Sequence, residues 1–84
     1  MKIVINANFG GYGCDVSEQY EDLVDRYEGD RTNPELVAFV ENHPDDCGDL
    51  AIVTIPDNAT DWDIQDYDGN EDLIYVVDGK IHYC

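Results

Sequence analysis

Three cysteines and two histidines make metal binding the first chemistry to consider: Cys14, His43, Cys47, His82 and Cys84. Thiolate and imidazole are the donors zinc favours, and four of them close a tetrahedral site. His43-Pro44-Asp45-Asp46-Cys47 has a spacing compatible with one chelating loop, and His82-Tyr83-Cys84 adds a second pair. The best tetrad is Cys14, His43, Cys47 and Cys84, with His82 as substitute. With every position filled by protein, such a zinc is structural rather than catalytic. The packing alternative stands beside it: His43 as a core histidine, Cys14 and Cys47 as small buried residues, and Cys84 as an ordinary thiol.

The second chemistry is charge. Asp and Glu number 20, Lys and Arg only 4, and the formal charge is −16. No Lys or Arg lies between Arg31 and Lys80. So acidic a chain is disordered when it lacks apolar residues, but here 43% is hydrophobic and 11% aromatic, which predicts a folded domain. Nucleic acid and anionic membranes would repel it, so neither is an expected partner. A basic protein surface built to hold phosphates is the complementary one.

Glu18, Asp22 and Asp25 fall in one row of a predicted helix. Asp61 with Asp63, and Asp66 with Asp68, fall at alternate positions of a predicted strand, with Trp62 and Tyr67 as aromatic anchors. Rows of like charge cost a helix a few tenths of a kcal/mol per pair, and a surface tuned only for solubility mixes signs.

Other motifs are weaker. Gly10-Gly11-Tyr12-Gly13 lacks the spacing of a phosphate loop and reads as a turn needing positive φ. The tract Asp61 to Asp72 lacks the calcium-loop spacing. Carboxylate pairs are too common among so many acids to indicate acid–base catalysis.

The elements that must position these residues follow from periodicity. Lys2-Ile3-Val4-Ile5 opens a buried, central strand extending to Asn8. Asp15 and Glu18 form a capping-box-like pair for a first helix, whose stripe is Tyr20, Leu23, Val24 and Tyr27. Thr32-Asn33-Pro34-Glu35 starts a second helix with Leu36, Phe39, Val40 and His43 inward, stopped at Pro44. Strands follow at Leu50 to Ile55, Trp62 to Tyr67, Leu73 to Val77 and Ile81 to Tyr83, with turns at Asp68-Gly69 and Asp78-Gly79. This order predicts one α+β domain over residues 1–84, a mainly antiparallel sheet of four to five strands with both helices on one face. The core is expected at Tyr20, Leu23, Val24, Leu36, Phe39, Val40 and Val53. In that topology Cys14, His43, Cys47 and Cys84 come to one end. The absence of a leader or a long apolar run points to the cytoplasm.

Met1-Lys2-Ile3-Val4-Ile5-Asn6, Phe9-Gly10-Gly11-Tyr12-Gly13, Arg31-Thr32-Asn33-Pro34-Glu35-Leu36-Val37, Ile55-Pro56-Asp57, Trp62-Asp63-Ile64 and Tyr67-Asp68-Gly69 resemble a family of small phage and prophage proteins. Small acidic proteins of this kind include anti-CRISPR inhibitors of type II systems, some of which look like DNA mimics or bind zinc. The resemblance implies a phage-borne host-takeover or anti-defence role in the cytoplasm of a bacterial host cell; the segments around His43–Leu50 and Lys80–Cys84 lie outside its motifs. The expected function is a non-enzymatic inhibitor that keeps target DNA from a type II CRISPR effector nuclease. Such effectors hold their heteroduplex in a positive channel. The alternatives are inhibition of another basic host protein, such as a restriction enzyme or polymerase, and a small metal-dependent hydrolase.

Overall fold

The computed structural model describes residues 1–8 and 10–83. Strand β1 (Lys2–Asn6) is followed by a 3-10 turn (Glu18–Tyr20) that runs into helix α1 (Glu21–Arg26), then by helix α2 (Pro34–Asn42). Strands β2 (Leu50–Thr54), β3 (Asp61–Tyr67), β4 (Asn70–Val77) and β5 (Lys80–Tyr83) complete the order. Among the described residues no helix is long and apolar enough to cross a membrane.

The α+β class holds, but the single sheet does not. β1 and β2 form a two-stranded antiparallel ribbon, and β3-β4-β5 form a separate antiparallel meander. The reason lies in β1, where Ile3, Val4 and Ile5 are all buried, so both faces of the ribbon need a cover. Val4, Leu50 and Ile52 pack toward the helices with Val24, Leu36, Phe39 and Val40. Ile3, Ile5, Val53 and Ile55 pack on the opposite side against Leu73, Trp62, Ile64 and Tyr75. The ribbon is therefore the middle of three layers, between the helices and the meander.

The free edge of β1 explains why the ladder stops. Val4 N–H donates to the Arg31 carbonyl at 2.9 Å, and Arg31 Nη1 donates to the Val4 carbonyl at 3.3 Å. Asn6 N–H donates to Glu71 Oε1 at 2.7 Å. The groups that would have paired with a further strand are already bonded, so β4 approaches through a side chain instead of its backbone.

Val24, Leu36, Phe39 and Val40 are buried as expected, while Tyr20, Leu23 and Val53 are half-buried against the two cores. Asp15 does not cap the first helix. Ser17 N–H and Oγ both bond to Asp46 (2.9 Å to its carbonyl, 2.8 Å to Oδ1), tying this segment to the loop before β2 and delaying the helix to Glu18. Within the Thr32-Asn33-Pro34-Glu35 start signal it is Asn33 that caps α2, its side chain accepting Glu35 N–H at 2.9 Å. His43 departs from the inward stripe: it is the residue after the helix, and its side chain is 45% exposed. Both Asp-Gly turns are two-residue hairpins with left-handed pairs, φ 52° and 86° at Asp68-Gly69 and 51° and 77° at Asp78-Gly79. The first joins Tyr67 directly to Asn70, which is why β4 begins before Leu73.

Candidate functional site

Strand register sorts the meander into two faces, because cross-strand partners share a side. Trp62, Ile64, Leu73 and Tyr75 point to the ribbon, and the buried Glu71 lies on that side too. The opposite face carries Asp61 beside Val76 and Ile81, Asp63 beside Ile74 and Tyr83, then Gln65 beside Asp72, and Tyr67. Of the candidate contact residues on this strand, Asp61, Asp63 and Tyr67 are therefore on the outer face. Asp66 and Asp68 sit at the hairpin end, and Trp62 is a half-buried core residue turned away from solvent contact.

The outer-face carboxylates have a second task. A two-residue hairpin puts Tyr67 and Asn70 in a hydrogen-bonded pair, so by alternation the Trp62 and Ile64 N–H groups emerge on the open edge of β3. Asp61 Oδ1 accepts the first and Asp63 Oδ1 the second, each at 2.9 Å. Asp66 Oδ1 similarly accepts Gly69 N–H at 2.8 Å. This edge is shut by its own carboxylates, which limits pairing with another strand.

Glu18, Asp22 and Asp25 are exposed on the helical layer, across the molecule from the meander. The structure thus does not merge the two acidic rows into one patch.

Sequence reasoning missed the most elaborate polar cluster. Arg31 and Glu71 form a buried bidentate pair, Nη1 to Oε1 at 2.7 Å and Nη2 to Oε2 at 2.9 Å. Arg31 Nε also donates to the Glu28 carbonyl at 2.6 Å, and its guanidinium lies 3.9 Å from the Tyr12 ring centroid. Burial pushes the Tyr12 hydroxyl up to about 12; the Arg31 charge opposes this, and Glu28, Glu71 and Asp25 add to it. Asn6 completes the cluster, donating Nδ2 to the Asn8 and Gly69 carbonyls at 2.7 and 2.8 Å. Its Oδ1 has no hydrogen-bond partner among the described residues. The available signal was Arg31 as one of only four Lys and Arg residues in a strongly acidic chain, each of which must be neutralised or exposed.

The sulfur and imidazole donors are placed as follows. The loops bearing Cys14 and Cys47 do meet, with Gly48 packed on the Asp15 backbone. Cys14 is exposed, however, and Cys47 is buried with Sγ 3.4 Å from the Pro44 carbonyl and 3.6 Å from that of Leu50. Burial and then neighbouring carboxylates raise the Cys47 thiol, and desolvation with the adjacent Asp15 raises that of Cys14, so both favour the protonated form. His43 Nδ1 lies 3.9 Å from Asp46 Oδ2, and its ring packs on Tyr20 and Phe39. His82 stacks on Tyr75 at 5.1 Å between ring centroids. Cys84 lies outside the described residues. The described tetrad members Cys14, His43 and Cys47 do not converge. Instead Cys14, Asp15 and Asp49 bring ligand atoms within 4.8 Å of one another. That group is largely exposed and mixes sulfur with oxygen, unlike the closed Cys/His character of a structural zinc site.

An open groove of about 210 Å³ lies between the helices, lined by Tyr20, Leu23, Glu35, Ala38, Phe39, Asn42 and His43. It is smaller than the ~300 Å³ at which ligand pockets begin, and Glu35 is engaged by the Tyr27 hydroxyl at 2.6 Å. No family model matches this chain, and neither a curated protein nor a solved structure matches it.

Proposed function

We propose that this protein is a non-enzymatic inhibitor that occupies the phosphate-binding surface of a basic nucleic-acid-binding protein. The observation supporting it is the fate of the cations. Arg31 is buried against Glu71, and Lys2 is engaged by Glu41 at 2.8 Å. Only Arg26 and Lys80 remain to offset the acidic side chains, which are exposed on the helical layer and the meander alike. The molecule presents a sustained negative field, the property by which a protein can stand in for a nucleic-acid backbone. Carboxylates pair with Arg in the fork geometry that phosphates use.

The narrower target, a type II CRISPR effector, rests on the resemblance to phage proteins; restriction enzymes and polymerases are the other basic hosts of this reading. A structural zinc accompanies it as a separate proposal, decided by elemental analysis of the purified protein. The functional test is a DNA-loading assay with a guide-loaded type II effector. The protein should reduce loading while leaving DNA and guide RNA intact, and added salt should weaken it, since exposed charges are screened within about 8 Å at physiological ionic strength. Unchanged loading at saturating protein refutes the target, and inhibition indifferent to salt refutes the electrostatic mechanism.

A further inference from the structure

The outer face of the meander is not simply acidic. Four large apolar residues are exposed among those described, Met1, Tyr67, Ile81 and Tyr83, and three of them lie on this one face. Tyr67 is 74% exposed, Ile81 60% and Tyr83 78%. Register places half-buried Val76 and Ile74 beside Ile81 and Tyr83. Asp61 and Asp63 complete those two cross-strand rows, and Asp72 follows on β4. An apolar centre with a charged rim is the anatomy of a protein–protein interface. Scattered single apolar residues need no explanation, but a contiguous set does.

The geometry points to this face as a docking surface for a protein partner that presents apolar or aromatic side chains flanked by Arg or Lys. Charge complementarity selects that occupant. A second copy would set its own Asp61, Asp63 and Asp72 against these and bring up a second chain of net charge −16. The helical acidic row of Glu18, Asp22 and Asp25 is then field rather than contact. Binding strength comes from the apolar centre, while the carboxylates steer and orient. This inference rests on the proposed role as a ligand of a basic protein, and it names the surface and the non-electrostatic part of recognition.

The test uses two synthetic peptides of equal charge, one alternating Arg with Trp and one of Arg separated by Ser, titrated into isotope-labelled protein. The Arg/Trp peptide should bind about tenfold more tightly or better, with amide shifts centred on Ile74, Val76, Ile81 and Tyr83. Ile81→Ser with Tyr83→Ser should abolish that advantage while retaining the circular dichroism spectrum, because both side chains are already exposed. Equal affinity for the two peptides, or shifts centred on Glu18, Asp22 and Asp25, overturns the docking face. The effector assay separates the two ideas. Peptide docking here without any inhibition of DNA loading refutes the type II effector as target and leaves this face standing. Inhibition that survives Ile81→Ser with Tyr83→Ser refutes this face alone.

Discussion

Replacing Glu71 by Ala is the sharpest test of what holds the three layers together. Glu71 accepts from Arg31 Nη1, Arg31 Nη2 and Asn6 N–H, all in a buried setting. Its removal strands a guanidinium whose remaining acceptors are the Val4 and Glu28 carbonyls. Breaking a buried pair by deleting one partner costs about 3–5 kcal/mol, mostly from the uncompensated charge. At about 0.05–0.15 kcal/mol per residue the whole domain has roughly 4–13 kcal/mol to lose. Urea unfolding followed by Trp62 fluorescence reads the effect. With a slope of about 1 kcal/mol per molar, the midpoint should fall by 3 M or more, or the variant should be unfolded without urea. The control is Glu41→Ala, which removes the Lys2 partner where both side chains are about half exposed and should cost under about 1 kcal/mol. Arg31→Met combined with Glu71→Met should cost less than the sum of the two single changes, since neither charge is then stranded. If Glu71→Ala costs no more than Glu41→Ala, the pair is not the clasp described above.

Gly69→Ala should destabilise by more than Gly79→Ala in thermal melts: both glycines have positive φ, but a Cβ at Gly69 would run into the Gly10 and Gly11 backbone, whereas at Gly79 it meets open space. Because the Tyr12 hydroxyl is raised to about 12 from 10, the folded state keeps a proton that the unfolded chain loses; this contribution is intact below pH 10 and declines between pH 10 and 12, and Tyr12→Phe should flatten that part of the pH–stability curve. In a thiol-labelling experiment Cys14 should react in the native state and Cys47 only on unfolding, and protection of Cys14 that disappears with a chelator would favour the zinc proposal. Asp61→Asn with Asp63→Asn should slow association with a basic partner yet preserve the fold, because the amide oxygen still accepts the Trp62 and Ile64 N–H bonds; the Ala versions should self-associate through the opened β3 edge in sedimentation.

Local signals in the chain were sufficient for the elements and not for their layering. Apolar spacing located Val24, Leu36, Phe39 and Val40, and the Asp-Gly dipeptides marked both hairpins, because these depend on neighbours a few residues away. The division into two sheets depends on what occupies the far edge of β1, and that is Arg31 together with Glu71, which by type is one more acid in an acidic tract. The consecutive run Ile3-Val4-Ile5 did carry a hint, since a strand covered on one face alternates. The same gap affected the candidate site. Charge was visible residue by residue, but the apolar centre formed by Ile74, Val76, Ile81 and Tyr83 exists only once register aligns β4 with β5. The inward assignment of His43 failed because Pro44 ends the helix just there, and the last helical residue is already Asn42.

The clasp at Glu71 also sets the order in which the chain can fold. Its partners lie 40 residues earlier at Arg31 and 65 earlier at Asn6. During synthesis β1 precedes every element that covers it; the helices can shield Val4 next, but Ile3 and Ile5 have no cover until the meander has been made. Contacts this distant form slowly, whereas the meander, closed by two-residue turns, can assemble within microseconds once it emerges. A nascent chain therefore waits with one face of β1 uncovered. Throughout that wait the carboxylates already synthesised repel neighbouring chains on the same messenger, so the excess charge acts as a guard against misassembly.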